Sequence, residues 1–203
     1  VNPNLCVGCG ACTTVCPTGA LTYAYPRASE QGVKFKTLLS TYQKAGGKDA
    51  VILLHSQDAG LALVNELGRA AQLKVAKGLP AHVIPVSLWH TASLGLDVWL
   101  TALAYGAAQV LVLNTAEEAP QYAEGLQAQM AQAQAMLEGL GYAKPGRVPV
   151  QLVHATQALE LDAELQRLTT GQQRLSTTVP AATFAVMAEK RSTLSMVIDH
   201  LLE

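Results

Sequence analysis

The chain has 203 residues, of which 50% are hydrophobic and 14% charged, and its formal net charge at pH 7 is −1. Such a chain can bury one substantial core with a small appended module, and a charge this close to zero predicts no electrostatic partner such as nucleic acid or an anionic membrane. The mean hydropathy of +0.21 is high, but the longest apolar stretch, residues 92–113, is interrupted by polar residues, so we expect no transmembrane helix.

The cysteines are confined to a short stretch near the amino end, where they stand at Cys6, Cys9, Cys12 and Cys16. A secreted disulfide scaffold would distribute its cysteines through the fold, so this clustering indicates a metal site in a reducing compartment and predicts a cytoplasmic protein. The spacing, C-x2-C-x2-C-x3-C-P, is the one with which bacterial ferredoxins bind 4Fe-4S clusters. These four thiolates are therefore the predicted metal and cofactor ligands.

The residues between the cysteines suit an iron–sulfur loop. The two-residue gaps let the chain wrap three thiolates around one face of a cluster, and Gly8 and Gly10 let backbone amides approach its sulfurs. Pro17 directs the chain away after the last cysteine. A four-cysteine zinc site is the alternative, but it usually pairs two separate C-x2-4-C knuckles, so we favour an iron–sulfur cluster.

The fourth cysteine of such a run ligates the other cluster in two-cluster ferredoxins. On this pattern Cys6, Cys9 and Cys12 hold three corners of one cluster, and Cys16 holds one corner of a second. Each cluster then needs thiolates from outside this chain, most simply from before Val1, where the missing initial Met suggests an excised segment. We expect the chain alone to bind iron incompletely or not at all.

Beyond the cysteines, the sequence predicts a short strand at residues 21–24 and an amphipathic helix at residues 33–44 that ends at Gly46 and Gly47. From there, apolar runs that predict strands alternate with periodic segments that predict helices. The predicted order is strand 50–56, helix 60–75, strand 81–88, helix 93–107 with Ser93 as its N-cap, strand 109–114, a long helix ending near Gly139 or Gly141, strand 147–154 and helix 156–168. A further helix from about Lys190 is expected to pack back onto the domain.

This alternation predicts an α/β fold: a parallel sheet of about four strands with helices on both faces, flavodoxin- or Rossmann-like, preceded by a partial bacterial-ferredoxin iron–sulfur segment. Pro149, near the start of the fourth strand, favours an edge position for it. We divide the chain into the iron–sulfur segment (1–26), a linker helix (27–48), the α/β domain (49–170) and a carboxyl-terminal extension with a helix (171–203).

Ligands of such folds bind where strands end and helices begin. The polar residues at those positions are His55, Ser56, Asp58, His90, Ser93, Asn114, Thr115, Glu117 and His154. They form no recognisable set, and the sequence contains no phosphate-binding glycine motif and no nucleophile elbow, so no catalytic residue is predicted. We expect the three histidines to bond loop backbone, and Glu117 and Glu118 to favour a helix N-terminus. Trp89 and Trp99 are expected in the core.

Several stretches together carry a resemblance to a known family: CVGCGACTTVCPTGA, DAVILLHSQDAG, GLPAHVIPV, GLDVWLTALAYGAAQVLVL and FAVMAEKRSTL. Through them the chain resembles bacterial cytosolic multi-cluster 4Fe-4S ferredoxin-type proteins along nearly its whole length. In that family the matching region lies between two ferredoxin-like modules. The resemblance implies that this chain is a middle segment and that the missing thiolates belong to those modules.

The α/β part is more distantly similar to the delta subunit of methyl-viologen-reducing hydrogenase, through ALAYGAAQVLV at residues 102–112. That subunit carries iron–sulfur ligands in its α/β domain and relays electrons to a heterodisulfide reductase. This chain has no cysteine after Cys16. Only the fold and the electron-transfer setting therefore carry over, the latter by analogy.

Three functions follow from these observations. The first is a carrier that passes single electrons through 4Fe-4S clusters to or from a redox partner protein, with the α/β domain as a docking platform. The second is an oxidoreductase subunit whose α/β domain binds a small molecule or nucleotide. The third is a module in which a cluster or metal senses the redox state. The lack of a phosphate loop or an acid–base pair favours the carrier and leaves open whether the chain is part of an enzyme.

Overall fold

The computed structural model of the chain describes residues 4–144 and 146–202. Two 3-10 turns, Thr91–Ser93 and Gly171–Gln173, accompany the helices and strands. In chain order the helices and strands are α1 (Ala11–Val15), α2 (Ala28–Lys44), β1 (Ala50–Ser56), α3 (Ala59–Gln72), β2 (Val83–Leu88), α4 (Leu96–Ala104), β3 (Ala107–Asn114), α5 (Pro120–Gly139), β4 (Val150–His154), α6 (Ala158–Thr169) and α7 (Lys190–Leu201).

The strands form one parallel sheet in the order β2-β1-β3-β4, which is the predicted fold class. Strand β1 pairs with β2 on one side and with β3 on the other, so Leu54 of β1 lies between Val86 of β2 and Val112 of β3. β4 pairs with β3 at the edge of the sheet, as Pro149 predicts. The order of the strands reverses between β1 and β3, so the switch point of the sheet lies at the carboxyl ends of these two strands.

Helices cover both faces of the sheet, and β1 and β3 are buried along their whole length. One face packs against α2, α4, α5 and α7, with Phe35, Trp99 and Leu126 in the shared core. The other packs against α3 and α6 through Leu67 and Leu161. This burial of apolar side chains on two faces is the main source of stability. Within the described ranges, no helix has the length and apolar character needed to cross a membrane.

Helix α2 starts at Ala28 rather than at the predicted residue 33. The Glu30 carboxylate accepts a 2.9 Å hydrogen bond from the backbone amide of Arg27, which caps the extra turn. At the other end, Gly46 has a φ of +88°, the left-handed conformation predicted for the helix end. Apolar periodicity does not predict this early start, because the residues around Glu30 are mostly charged or polar.

The strand predicted at residues 21–24 is wrong, since this segment is irregular. A strand needs a neighbour to receive its backbone hydrogen bonds, and the segment lies apart from the sheet. Tyr23 is instead tied down by its side chain, whose hydroxyl donates to the carbonyl of Gly8.

Two further predictions between β2 and α4 are wrong. Ser93 does not cap α4: its hydroxyl donates to the His90 carbonyl (2.7 Å), and the helix begins only after Gly95. Trp89 is 48% exposed rather than part of the core. It follows the last residue of β2, where the chain leaves the covered sheet. Trp99, in contrast, is fully buried as predicted.

Candidate functional site

The cysteine segment, residues 4–26, packs through α1 against the end of the sheet where the strands have their carboxyl ends. The Thr14 hydroxyl donates a 2.6 Å hydrogen bond to the carbonyl of Ala92, in the 3-10 turn after β2. Gln129 of α5 joins the same parts, because its amide nitrogen donates to the Thr14 carbonyl (2.6 Å) and its oxygen accepts from the Leu96 amide (3.3 Å). Thr14 is 5% exposed, so water competes little for these bonds.

Two glycines shape the loop that carries the first three cysteines. Gly8 and Gly10 have φ values of +68° and +79°, in the left-handed region that glycine adopts without strain. Gly10 also approaches the α/β domain closely, since a β-carbon there would lie 2.8 Å from Cβ of Ser93. The loop therefore turns tightly and lies directly against the domain.

The four thiols are free, with Cys6 and Cys12 exposed and Cys9 and Cys16 half-buried. Among the described residues, no three cysteine, histidine or carboxylate side chains are close enough together to hold a metal ion. Thiolates on a short glycine-containing loop nevertheless fit an iron–sulfur cluster as donors, and metal sites often assemble only as the metal binds. The chemistry of the donor set thus fits a 4Fe-4S cluster, and the assignment of each thiolate to a cluster stays a prediction.

Cys16 is surrounded by the turn that follows it. Its sulfur lies 3.5 Å from the hydroxyl oxygen of Thr18. Hydrogen bonds from this hydroxyl, and then from the backbone amides of Leu21, Thr18 and Ala20, lower the pKa of Cys16 to about 6. These groups favour the thiolate, which is the form that ligates metals.

Tyr122 of α5 links the first two cysteines to the α/β domain. Hydrogen bonding to Cys9 raises the pKa of Tyr122, and burial and the negative charges of Cys9 and Cys6 raise it further. The Tyr122 ring packs edge-on against His90, with the ring centroids 4.7 Å apart. Cys6 and Cys9 therefore share a tyrosine as neighbour, while Cys16 is held among the amides of its own turn.

A buried ion pair braces the carboxyl end of α1. The ammonium group of Lys190 donates to the carbonyls of Thr14 (2.8 Å) and Cys16 (3.3 Å), and it also reaches the Thr13 carbonyl (3.4 Å). Oδ1 of Asp97 lies 3.7 Å from the same nitrogen, and the two side chains are 12% and 11% exposed. Burial raises the pKa of Asp97, although the charge of Lys190 opposes the shift.

A cavity of about 360 Å³ lies beside this ion pair, where the cysteine segment meets the starts of α2, α4 and α7. Its lining mixes hydroxyl, apolar and charged side chains, including Thr14, Leu21, Tyr23, Arg27, Ser93 and Asp97. A cavity of this volume is large enough for a small molecule.

The histidines predicted at the carboxyl edge are occupied locally. His55 Nδ1 donates to the carbonyl of the next residue (2.9 Å), and His90 Nδ1 accepts from a backbone amide of the 3-10 turn (3.0 Å). The expected bond to loop backbone is thus confirmed for His90, whereas the partner of His55, Ser56, is the last residue of β1. For His154 the expectation is wrong, because its Nδ1 accepts from the side-chain amide of Asn114 (3.2 Å).

The other predicted edge residues also serve local structure. The Glu118 carboxylate accepts a hydrogen bond from the Thr115 amide (2.6 Å), and the Glu117 amide donates to the Thr115 hydroxyl (3.4 Å). Because both bonds lie before α5 begins, Glu117 and Glu118 stabilise the turn after β3 rather than the first turn of the helix. Ser56 Oγ accepts an amide hydrogen from α3 (2.8 Å), and Asp58 is the N-cap residue of that helix without a side-chain cap bond. These residues do not form one site.

The 3-10 turn Thr91–Ser93 fills the switch point of the sheet. Its residues are buried and contact β1 and β3, and α1 packs on the turn. Open α/β sheets usually bind ligands at this place. Here the chain covers it with its own backbone and with the cysteine segment.

Sequence reasoning missed Lys190 and Tyr122 as part of the site. Lys190 lies 174 positions from Cys16, and no local pattern signals such a contact. Asp97 did carry a signal, since a single charge within the apolar stretch GLDVWLTALA must find a partner when it is buried.

Comparison with known families agrees with this position of the site. Residues 1–22 match the family model of the 4Fe-4S binding domain. No curated protein matches the chain. The match supports a ferredoxin-type iron–sulfur segment at the amino end, with iron–sulfur electron transfer as its general function, attached to the α/β fold described above.

Proposed function

We propose that this chain is an electron-carrier segment in which Cys6, Cys9 and Cys12 hold three corners of one 4Fe-4S cluster and Cys16 serves a second. Ferredoxin-like modules outside the chain supply the remaining thiolates. The observation that carries the proposal is the C-x2-C-x2-C-x3-C-P run inside the match at residues 1–22. In support of a separate role for Cys16, its sulfur lies 3.5 Å from the hydroxyl oxygen of Thr18, in the turn that follows it.

When bound, a 4Fe-4S cluster supplies one-electron oxidation and reduction. The chain contributes the thiolates and a fixed support for them. Thr14 and Gln129 hold α1 on the α/β domain, and Gly10 brings the loop against it. Such fixed surroundings lower the reorganisation that accompanies each change of charge.

The α/β domain serves as the docking platform, with a redox partner protein as the occupant of the exposed side. Large apolar side chains that adjoin the cysteines in the sequence are exposed: Leu5 is 79% exposed, Val7 72% and Val15 56%. An exposed apolar patch next to a redox centre suits a transient contact with a partner that has a complementary apolar surface.

An oxidoreductase subunit is the second candidate, and the 360 Å³ cavity beside Asp97 is the observation that favours it. A small molecule bound there would lie next to the cysteine segment. The filled switch point argues against a nucleotide at the usual place in the fold. Thermal-shift screening with flavins, nicotinamides and nucleotides separates the two candidates, because a raised Tm with one of these compounds favours the enzyme.

Anaerobic reconstitution tests the carrier. The chain is purified without oxygen and incubated with iron and sulfide, and the bound iron, sulfide and zinc are then quantified. We expect iron and sulfide together, in less than the amount of a full cubane, and a paramagnetic resonance signal after reduction. The variant with all four cysteines changed to serine is the control. Zinc without sulfide, or equal iron in this control, contradicts the proposal.

A further inference from the structure

The cysteine helix, α1, contacts α7 through one charged side chain, Lys190, which has several partners. Lys190 is the first residue of α7, and its ammonium group lies against the last carbonyls of α1, where a cation is favoured by the partial negative charge of the helix end. The backbones are also close, since a β-carbon on Gly19 would lie 3.2 Å from Cβ of Lys190. This charge is therefore built into the docking of the cysteine segment.

The countercharge of Lys190 comes from a different part of the fold. Asp97 lies in the first turn of α4, and its carboxylate is 3.7 Å from the ammonium group of Lys190. Both side chains are nearly nine-tenths shielded from water, so water screens these two charges less than it screens charges on the surface. The ammonium group is bonded to the Cys16 carbonyl, whereas no bond joins the carboxylate to a described cysteine.

We propose that Lys190 is a positioning residue that anchors the cysteine helix, and that the Lys190–Asp97 pair sets the reduction potential of the iron–sulfur centre that this helix carries. Reduction adds one negative charge to a cluster, so a nearby cation stabilises the reduced state and a nearby anion destabilises it. In the intact pair the two effects oppose each other. The redox part of this inference rests on the proposed function, while the anchoring part does not.

The two halves of the pair give opposite expectations. Lys190→Met keeps most of the aliphatic stem but removes the cation and leaves the Asp97 carboxylate unopposed, so the reduction potential falls. Asp97→Asn keeps the shape but leaves the cation unopposed, so the potential rises. Lys190→Arg retains the charge and stays nearer the wild-type potential than Lys190→Met. A purely structural role would give shifts of the same sign, or loss of the cluster, in both variants.

The anchoring is tested without iron, by hydrogen exchange of the whole chain. The amides of Thr13 and Thr14 donate to the Gly10 carbonyl within α1. In Lys190→Met we expect these amides to exchange roughly tenfold faster or more, because a charge-assisted bond to the helix end is lost. Asp97→Asn should change them much less. Lys48→Met, at the opposite edge of the sheet, removes the same charge from an exposed site and is the control.

The potentials are measured by spectroelectrochemical titration of the reconstituted chain and its variants. Opposite shifts for Lys190→Met and Asp97→Asn, with faster exchange in Lys190→Met, support the proposal. Shifts of the same sign, or a shift in Lys48→Met as large as in Lys190→Met, overturn the redox part. Wild-type exchange in Lys190→Met overturns the anchoring. If the chain alone binds too little iron and sulfide, the potentials are measured in the longer protein that contains the neighbouring modules. If that protein also binds no iron and sulfide, the proposed function fails, and the exchange experiment still decides the role of Lys190.

Discussion

The hydroxyl of Thr14 donates a 2.6 Å hydrogen bond to the carbonyl of Ala92, and the two residues are 78 positions apart in the chain. This bond joins α1, the helix that contains Cys12 and ends just before Cys16, to the turn that covers the switch point of the sheet. Both residues are buried, with 5% and 2% of their surface exposed. The iron–sulfur segment is thereby attached to the α/β domain through a contact that is closed to water.

Thr14→Val should weaken this attachment. Valine keeps the shape but removes the donor, which leaves the buried Ala92 carbonyl without this partner, and the free energy of unfolding in urea should fall by about 1–3 kcal/mol. Thr13→Val is the matched control, because the Thr13 hydroxyl donates only to the carbonyl of Gly10 within its own turn. Equal losses in the two variants would show that the contact with Ala92 is not special.

Substitutions at Gly8 and Gly10 distinguish the cost of backbone strain from the cost of a steric clash. Both have a positive φ, so alanine at either position should cost about 1–2 kcal/mol in the free energy of unfolding. Only Gly10→Ala also places a methyl group against Ser93, while nothing lies within 4 Å of the corresponding position at Gly8. We therefore expect Gly10→Ala to be the more damaging in urea unfolding and in iron uptake. Equal effects would contradict the close contact with Ser93.

Single cysteine substitutions test the division between two clusters in a longer protein that contains the neighbouring modules. Cys6→Ser or Cys9→Ser should remove the paramagnetic signal of one cluster, and Cys16→Ser should damage the signal of the other. The physical reason is that each cubane loses one of its thiolate ligands. Loss of one and the same signal in all three variants would make the division wrong.

His55 should make stability depend on pH. Burial lowers the pKa of this imidazole below its usual value near 6.5, so the unfolded chain binds the proton more readily than the folded chain. Stability should therefore decrease as pH falls below about 6.5, and His55→Gln should show a smaller decrease. Urea unfolding at pH 7.5, 6.5 and 5.5 measures the slope. Parallel curves for wild type and His55→Gln would contradict this assignment.

The sheet could be predicted because local pattern determines it. Runs such as AVILLHS are apolar without alternation, as strands covered on two faces require, and Pro149 indicated the edge. The short strand at residues 21–24 failed because a strand depends on a partner elsewhere in the structure. The prediction that Trp89 is buried is wrong because β2 ends at Leu88, so the tryptophan lies just beyond the covered part of the sheet.

Of the candidate site, only the cysteine ligands could be predicted from the sequence. The spacing of the cysteines identifies the ligands, since it reflects the geometry of one short loop. The support for that loop comes from Gln129 and Lys190, whose partners in the cysteine segment are 115 or more positions away. Contacts at this separation follow from the packing of the whole fold and leave no mark in the local sequence.

The anchor provided by Lys190 also orders events during synthesis. The cysteine segment is synthesised before the α/β domain, and Lys190 follows Cys16 by 174 positions. Until Lys190 has emerged from the ribosome, the carboxyl end of α1 lacks the cation that its carbonyls bind in the folded chain. Docking of the cysteine segment is therefore complete only once the start of α7 is available, so assembly factors can reach the thiols before then.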